Sequence, residues 1–271
     1  MRAAVLGSPI AHSLSPALHR AGYAALGLAE WSYDRFELRA DGLAGFVAGL
    51  GEEWRGLSLT MPLKEACLQV AAEVTPLARR AAAGNTLVRL DAGRWLADNT
   101  DVGGLVDALR PHWDPSWREA AVLGSGATAR SALLALAEFG VTQATAYARN
   151  RDTARLLAGW AAEAVPDLSV RRAGLEEWTV AGEPAVLSTL PAGAADAFAL
   201  PGQRSGLLFD AVYAGWPTPL ARGAAAAGMT VVGGLDLLVH QAARQFELFT
   251  GLPAPLPELF AAGHAALEAG R

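Results

Sequence analysis

The chain has 271 residues, 52% of hydrophobic types and 18% charged, so it can bury one large core or two and does not read as disordered. A formal net charge of -5 leaves no basic stripe to neutralise a phosphate backbone or anionic lipid, which excludes nucleic acid and membrane surfaces as main partners. One cysteine, Cys67, excludes an internal disulfide, and the absence of a CxxC or His/Cys cluster excludes a structural metal; both fit a reducing cytoplasm.

The first apolar run stops at Gly7-Ser8-Pro9, too short for a signal-peptide core, and no later stretch reaches a membrane-spanning length. Residues 2–6, 32–38, 57–60 and 86–90 read as strands, with helical patterns at 16–26 and 63–72; that alternation is α/β. A helix from 101 to 110 leads into Pro111-His112-Trp113-Asp114-Pro115, a turn-rich run that reads as a domain edge. Beyond it, strands are expected at 121–124, 144–148, 168–171, 185–189, 207–212 and 230–232, with helical spacers that suit a parallel doubly wound sheet. Residues 237–250 and 257–269 carry helical patterns, the second with Pro257 in its first turn. If these helices return to the first lobe, the chain crosses between lobes near Asp101 and near Asp236, and a cleft between the lobes is the expected ligand site.

The strand ending at Leu123 runs into Gly124-Ser125-Gly126-Ala127-Thr128-Ala129, which matches the GxGxxG/A dinucleotide fingerprint and opens a helix expected over 128–139. Gly124 allows the tight turn, Gly126 lets a pyrophosphate approach the backbone, and Ala129 is small enough for close helix-strand packing. The same turn also serves strand-helix units that bind nothing. At the end of the next strand, where an NAD site places Asp or Glu, stand Ala148-Arg149-Asn150-Arg151. An arginine there suits a 2′-phosphate, which favours Arg149 as its ligand, with Arg151 read as a solvated helix-start residue.

Near the start, His12-Ser13-Leu14-Ser15-Pro16 puts two hydroxyls on a loop entering a helix; Ser15 reads equally as an N-cap and, with Ser13, as a carboxylate ligand. Thr60-Met61-Pro62-Leu63-Lys64 places a lysine where a helix is expected to begin, and Asn85-Thr86 and Asn99-Thr100-Asp101 supply polar groups at strand ends. Together these segments resemble the shikimate dehydrogenase family, whose motifs read HSxSPxxH, NVTxPxK, GAxNT and NTD, followed by a GxGG-type loop. The resemblance continues in order through Ser188-Thr189, Asp210-Ala211-Val212-Tyr213, Thr218-Pro219-Leu220 and Gly234-Leu235-Asp236 to Gln241-Ala242-Ala243.

That resemblance implies a two-lobed α/β fold. An N-terminal substrate domain (1–101 with 237–271) stands beside a Rossmann doubly wound domain (102–236) that binds NADP, and the C-terminal helices return to the first lobe. It implies Lys64 and Asp101 as the catalytic pair, with Ser13, Ser15 and Tyr213 around the substrate carboxylate. Thr60, Asn85 and Gln241 fall on ring-hydroxyl contacts. Gly124, Ser125, Gly126, Ala127, Arg149, Thr189 and Gly234 fall on the cofactor. The implied activity is reversible, NADPH-dependent reduction of 3-dehydroshikimate to shikimate by a cytoplasmic monomer or homodimer, with no metal, membrane or nucleic acid involved.

The chain departs from the family pattern at Ser58, where asparagine is usual, at Ala127, where the second glycine of a pair is usual, and at Ala148-Arg149-Asn150 in place of Asn-Arg-Thr. Asp236 replaces a glycine near the nicotinamide, where a carboxylate either repels the cofactor phosphates or points away. In reduction of a ring ketone Lys64 would protonate the developing alkoxide; a helix N-terminus would oppose its ammonium form and Asp101 would favour it. Two rival functions are a quinate/shikimate dehydrogenase using NAD or NADP and a noncatalytic, nucleotide-responsive regulator of the same fold. The absence of an acid at position 149 speaks against an NAD preference, and the joint presence of Lys64 and Asp101 against the regulator.

Overall fold

In the computed structural model, which describes residues 1–178, 182–198 and 204–269, the chain forms two compact units, Met1–Gly104 with Leu238–Arg271 and Leu105–Leu237. The expected lobe spans include residues 179–181, 199–203 and 270–271, which lie outside the described residues.

The first unit contains β1 (Arg2–Gly7), α1 (Ser15–Ala25), β2 (Ser32–Glu37), α2 (Leu43–Ala48), β3 (Trp54–Leu59), α3 (Cys67–Val70), β4 (Glu73–Val74), α4 (Pro76–Ala81), β5 (Thr86–Arg89), β6 (Trp95–Asp98) and the start of α5 (Thr100–Leu109). Its sheet runs β2-β1-β3-β5-β6-β4 and is mixed: β1 is parallel to β2 and β3, while β5 is antiparallel to β3 and β6. Successive side chains on a strand point to opposite faces. On β1, Ala4 and Leu6 therefore join Leu43, Leu57, Leu63 and Trp95 on one side, whereas Ala3 and Val5 join Tyr23, Tyr33, Phe246 and Phe249 on the other. Both faces are covered, so β1 reads as an unbroken apolar run.

The second unit contains β7 (Glu119–Leu123), α6 (Ala127–Glu138), β8 (Gln143–Ala148), α7 (Arg151–Ala164), β9 (Ser169–Gly174), β10 (Ala185–Ser188), β11 (Leu207–Asp210), α8 (Pro219–Ala227) and β12 (Thr230–Gly233). Its order, β12-β11-β10-β7-β8-β9, is parallel throughout and reverses direction of winding beside β7, the doubly wound arrangement whose ligand crevice lies at the carboxyl ends of the central strands. Then α9 (Gly234–Thr250) carries the chain back into the first unit, and α10 (Leu256–Ala269) packs on α1.

Three expectations need correction. The helix expected over 63–72 contracts to α3, because Met61 to Ala66 form successive turns. Strands β4 and β6 were unforeseen, the first having only two residues. The proline-flanked run 111–115 overlaps a short 3-10 turn, Arg110–His112, and the border between the units falls earlier, inside α5. Among the described residues no helix is long and apolar enough to cross a membrane, and no cluster of three or more His, Cys, Asp or Glu is placed to hold a metal.

Candidate active site

In the first unit the carboxyl end of β3, the entry to β5 and the start of α5 bring Thr60, Lys64, Asn85 and Asp101 into one region, with Gln241 reaching in from α9. Lys64 Nζ lies 2.6 Å from Asp101 Oδ2, the lysine partly and the aspartate almost wholly buried. The turn that carries Lys64 is pinned at both ends, because Leu63 N–H donates to Thr60 O and Gly84 N–H donates to Lys64 O. Lys64 stands three residues before α3, which is only one turn long, so it lies outside the helix it was expected to begin.

Asp101 is held from three directions. Its own N–H donates to Asn99 Oδ1, which also accepts from Val102 N–H and so caps α5. Its Oδ1 accepts from Asn85 Nδ2 at 2.8 Å, and its Oδ2 accepts from Lys64. Asn85 Nδ2 also lies 3.3 Å from Gln241 Oε1, while Asn85 Oδ1 accepts from Thr100 N–H at 2.8 Å. A lysine fixed against a carboxylate that is itself hydrogen-bonded is suited to passing a proton to an oxygen presented beside Nζ.

Ser13 and Ser15 stand where β1 leads into α1. The N-cap position of α1 is Leu14, and Ser15 N–H points to Ser13 Oγ at 3.4 Å, so the Ser15 hydroxyl is not used as the helix cap. Thr60 N–H donates to Leu6 O, and a side chain at Gly7 would collide with the Thr60 methyl, which explains the glycine in that strand end. Tyr213 belongs to the second unit, after β11; burial pushes its hydroxyl pKa above the ordinary tyrosine value.

In the second unit β7 passes directly into the glycine turn. Gly124 has φ +119°, and a Cβ there would meet the hydroxyl of Thr189, which itself donates to Leu123 O at 2.9 Å. Gly126 is the N-cap of α6 and contributes no side-chain cap, while a Cβ placed on it would meet nothing within 4 Å. The first-turn amides of α6 thus have open space in front of them, which fits a pyrophosphate. Ala129 is fully buried, as its close-packing role requires, and Ser125 Oγ lies 2.7 Å from Thr153 Oγ1.

Arg149 is exposed at the end of β8, immediately before Asn150, whose side chain caps α7 by accepting from Asp152 N–H and Thr153 N–H. Arg151, read from sequence as merely solvated, lines a cavity of about 290 Å³ with Arg172, Gly174 and Glu177. With no acid between 148 and 150 and two arginines flanking Asn150, this edge fits a cofactor carrying a 2′-phosphate. Gly234 packs so tightly on Ala211 O that a Cβ would overlap it. Asp236 is folded back on its own helix: Oδ2 lies 3.3 Å from Gly233 N–H, the N-cap amide of α9.

Sequence reasoning missed Gln245. It lies one helical turn beyond Gln241 on α9 and is almost fully buried among strand-end hydroxyls. The i, i+4 spacing of two glutamines on an otherwise apolar helix face was the available signal.

A parallel doubly wound sheet with a glycine turn, joined to a separate α/β unit that holds a buried lysine–carboxylate pair, is the architecture of a two-domain dehydrogenase. The chain matches the shikimate dehydrogenase substrate binding domain over residues 5–87 and the shikimate 5′-dehydrogenase C-terminal domain over residues 234–258. It is 35% identical to the shikimate dehydrogenase (NADP(+)) of Desulfitobacterium hafniense, over 97% of each chain. Among solved structures it resembles Mycobacterium tuberculosis shikimate dehydrogenase, at 42% identity and TM-score 0.86 over 97% of this chain and 99% of that one. It also resembles the Thermus thermophilus shikimate 5-dehydrogenase in complex with NADP(H) and shikimate, at 33% identity and TM-score 0.86 over 98% and 100%. The chain belongs to the shikimate dehydrogenase family.

Proposed function

We propose that the protein is an NADP-dependent shikimate dehydrogenase that reversibly reduces 3-dehydroshikimate to shikimate. The observation that carries this reading is the 2.6 Å Lys64–Asp101 pair, braced by Asn85, in a chain of this family. When bound, the nicotinamide supplies the hydride. Lys64 Nζ donates the proton that the developing alkoxide needs, and Asp101 keeps the ammonium directed at that oxygen. Thr60, Asn85 and Gln241 orient the ring hydroxyls, and Ser13, Ser15 and Tyr213 receive the carboxylate. On this reading the first unit binds substrate and the second holds the cofactor through Gly124, Ser125, Gly126, Ala127, Arg149, Thr189 and Gly234. The enzyme would act in the cytoplasm as a monomer or homodimer.

Initial rates with shikimate and quinate, each against NADP⁺ and NAD⁺, test the proposal. Shikimate with NADP⁺ is expected to give the highest kcat/KM; a preference for quinate or for NAD⁺ would overturn it. The quinate alternative is not favoured, because all three relatives described above are named for shikimate and two of them also for NADP.

A further inference from the structure

Gln245 takes no place in the machinery just described, yet it joins that machinery to the centre of the first unit. The antiparallel register of β3 and β5 sets Ser58 opposite Thr86, and Gln245 from α9 spans the two. Its Oε1 accepts from Ser58 Oγ at 2.7 Å; its Nε2 donates to Asn85 O at 3.1 Å and to Thr86 Oγ1 at 3.0 Å. Thr86 Oγ1 lies 2.9 Å from Asn85 Oδ1, and Tyr33 donates its hydroxyl hydrogen to Ser58 Oγ at 2.6 Å.

The bond partners orient the hydrogens along this path. A backbone carbonyl can only accept, so Asn85 O fixes which end of the Gln245 amide is nitrogen. Oε1 must then receive the Ser58 hydrogen, and Ser58 must accept from Tyr33. Thr86, accepting from Gln245, donates to Asn85 Oδ1 at 2.9 Å in preference to Thr100 Oγ1, which lies farther off at 3.4 Å. Thr100 N–H, a donor only, confirms that oxygen, and Asn85 Nδ2 is thereby turned toward Asp101 Oδ1. All donors in the series point one way, from Tyr33 to the Asp101 carboxylate, an arrangement in which each bond polarises the next.

We propose that Gln245 is a positioning residue for proton transfer: through Thr86 it fixes the Asn85 amide, and so holds Asp101 with its second oxygen turned to Lys64. Ser58 belongs to the same device, since its short side chain leaves room for Gln245 to reach the sheet where the family pattern has asparagine. The inference rests on the catalytic reading of Lys64 and Asp101.

The test compares Gln245→Met, Thr86→Val and Thr86→Ser with the parent, measuring kcat for shikimate oxidation with NADP⁺ in H₂O and in D₂O. Loss of one neutral hydrogen bond corresponds to about three- to tenfold in kcat. Gln245→Met and Thr86→Val are expected to lose that much and to show a larger solvent isotope effect, because proton transfer becomes more rate-limiting. Thr86→Ser, which keeps the hydroxyl, is expected to stay within about twofold of the parent. A purely structural role would lower the amount of active enzyme and leave the isotope effect of the remainder unchanged. That result, or a Thr86→Ser protein as impaired as Thr86→Val, would overturn the proposal, and the threonine pair decides it even if Gln245→Met fails to fold. Asp101→Asn serves as the control: parental kcat there would overturn the catalytic reading itself, whereas a large loss there with an unchanged isotope effect in the other variants would overturn only the role of Gln245.

Discussion

His19 stacks on Tyr33 with ring centroids 4.0 Å apart and planes 9° apart, and neither of its ring nitrogens makes a hydrogen bond. Complete burial lowers the imidazole pKa from 6.5 to about 3. The unfolded chain therefore takes up a proton at this residue below pH 6.5 while the folded chain does not. The stability contributed by neutral His19 is complete above that pH and is lost as pH falls toward 3, with a limiting slope of about 1.4 kcal/mol per pH unit. Chemical denaturation of the parent and of His19→Phe at pH 7.5 and 5 checks this. The drop in stability between the two pH values is expected to be smaller in the variant, and equal drops would show that His19 is not the group responsible.

Lys64→Ala is expected to lose about 10²- to 10⁴-fold in turnover, the usual worth of a placed proton donor, while shikimate still binds. Asp101→Asn should fall similarly and bind substrate more weakly. Steady-state kinetics with a direct binding measurement separates the two effects, and turnover within a few-fold of the parent in Lys64→Ala would remove its assigned role.

The two glycines of the nucleotide turn should respond differently. Gly124→Ala forces a side chain into a positive-φ site against the Thr189 hydroxyl, so both thermal stability and NADP⁺ affinity should fall. Gly126→Ala meets nothing within 4 Å, so Tm should stay within a few degrees while NADP⁺ affinity falls, because the space a Cβ fills is the space the pyrophosphate needs. Unchanged NADP⁺ affinity in Gly126→Ala would place the phosphates elsewhere.

Arg149→Ala is expected to weaken NADP⁺ selectively, by about ten- to a hundredfold, with NAD⁺ almost unaffected, as loss of a charged hydrogen bond to one phosphate would do. Arg151→Ala, measured beside it, should cost less. A reversed order would assign the phosphate to the cavity that Arg151 shares with Arg172.

The central strands were legible because burial on both faces leaves a compositional trace: Ala3 to Leu6 and Ala121 to Leu123 are apolar without a break. The glycine turn was legible because its backbone demands are met by few residues. The turn carrying Lys64 was not. Its residues continue the helical pattern of α3, and only the bonds from Leu63 N–H to Thr60 O and from Gly84 N–H to Lys64 O show why they do not join it. Strand β6 hides in Trp95–Asp98, which is short and comes just after a 3-10 turn, Asp91–Gly93. The path from Tyr33 to Asp101 was beyond sequence reasoning for another reason: it depends on Ser58 and Thr86 facing each other across antiparallel strands, and no local pattern records that register. The contact between Asp236 and the N-cap amide of Gly233 was likewise invisible, because it depends on where α9 begins.

Phe246 and Phe249 complete one face of the first sheet from α9, with Phe249 seated over Gly56 so closely that any side chain there would strike its ring. On the ribosome this has a temporal meaning. Ala3, Val5 and Tyr33 emerge early and wait through the whole of the second unit, a contiguous stretch able to collapse by itself, before their covering aromatics are synthesised. The nascent chain thus carries this apolar sheet face only partly covered, by Ile10 and by Tyr23 of α1, until α9 is made. Gln245 arrives with those same aromatics, so the nascent sheet acquires its cover and the amide that braces Asn85 in a single late event.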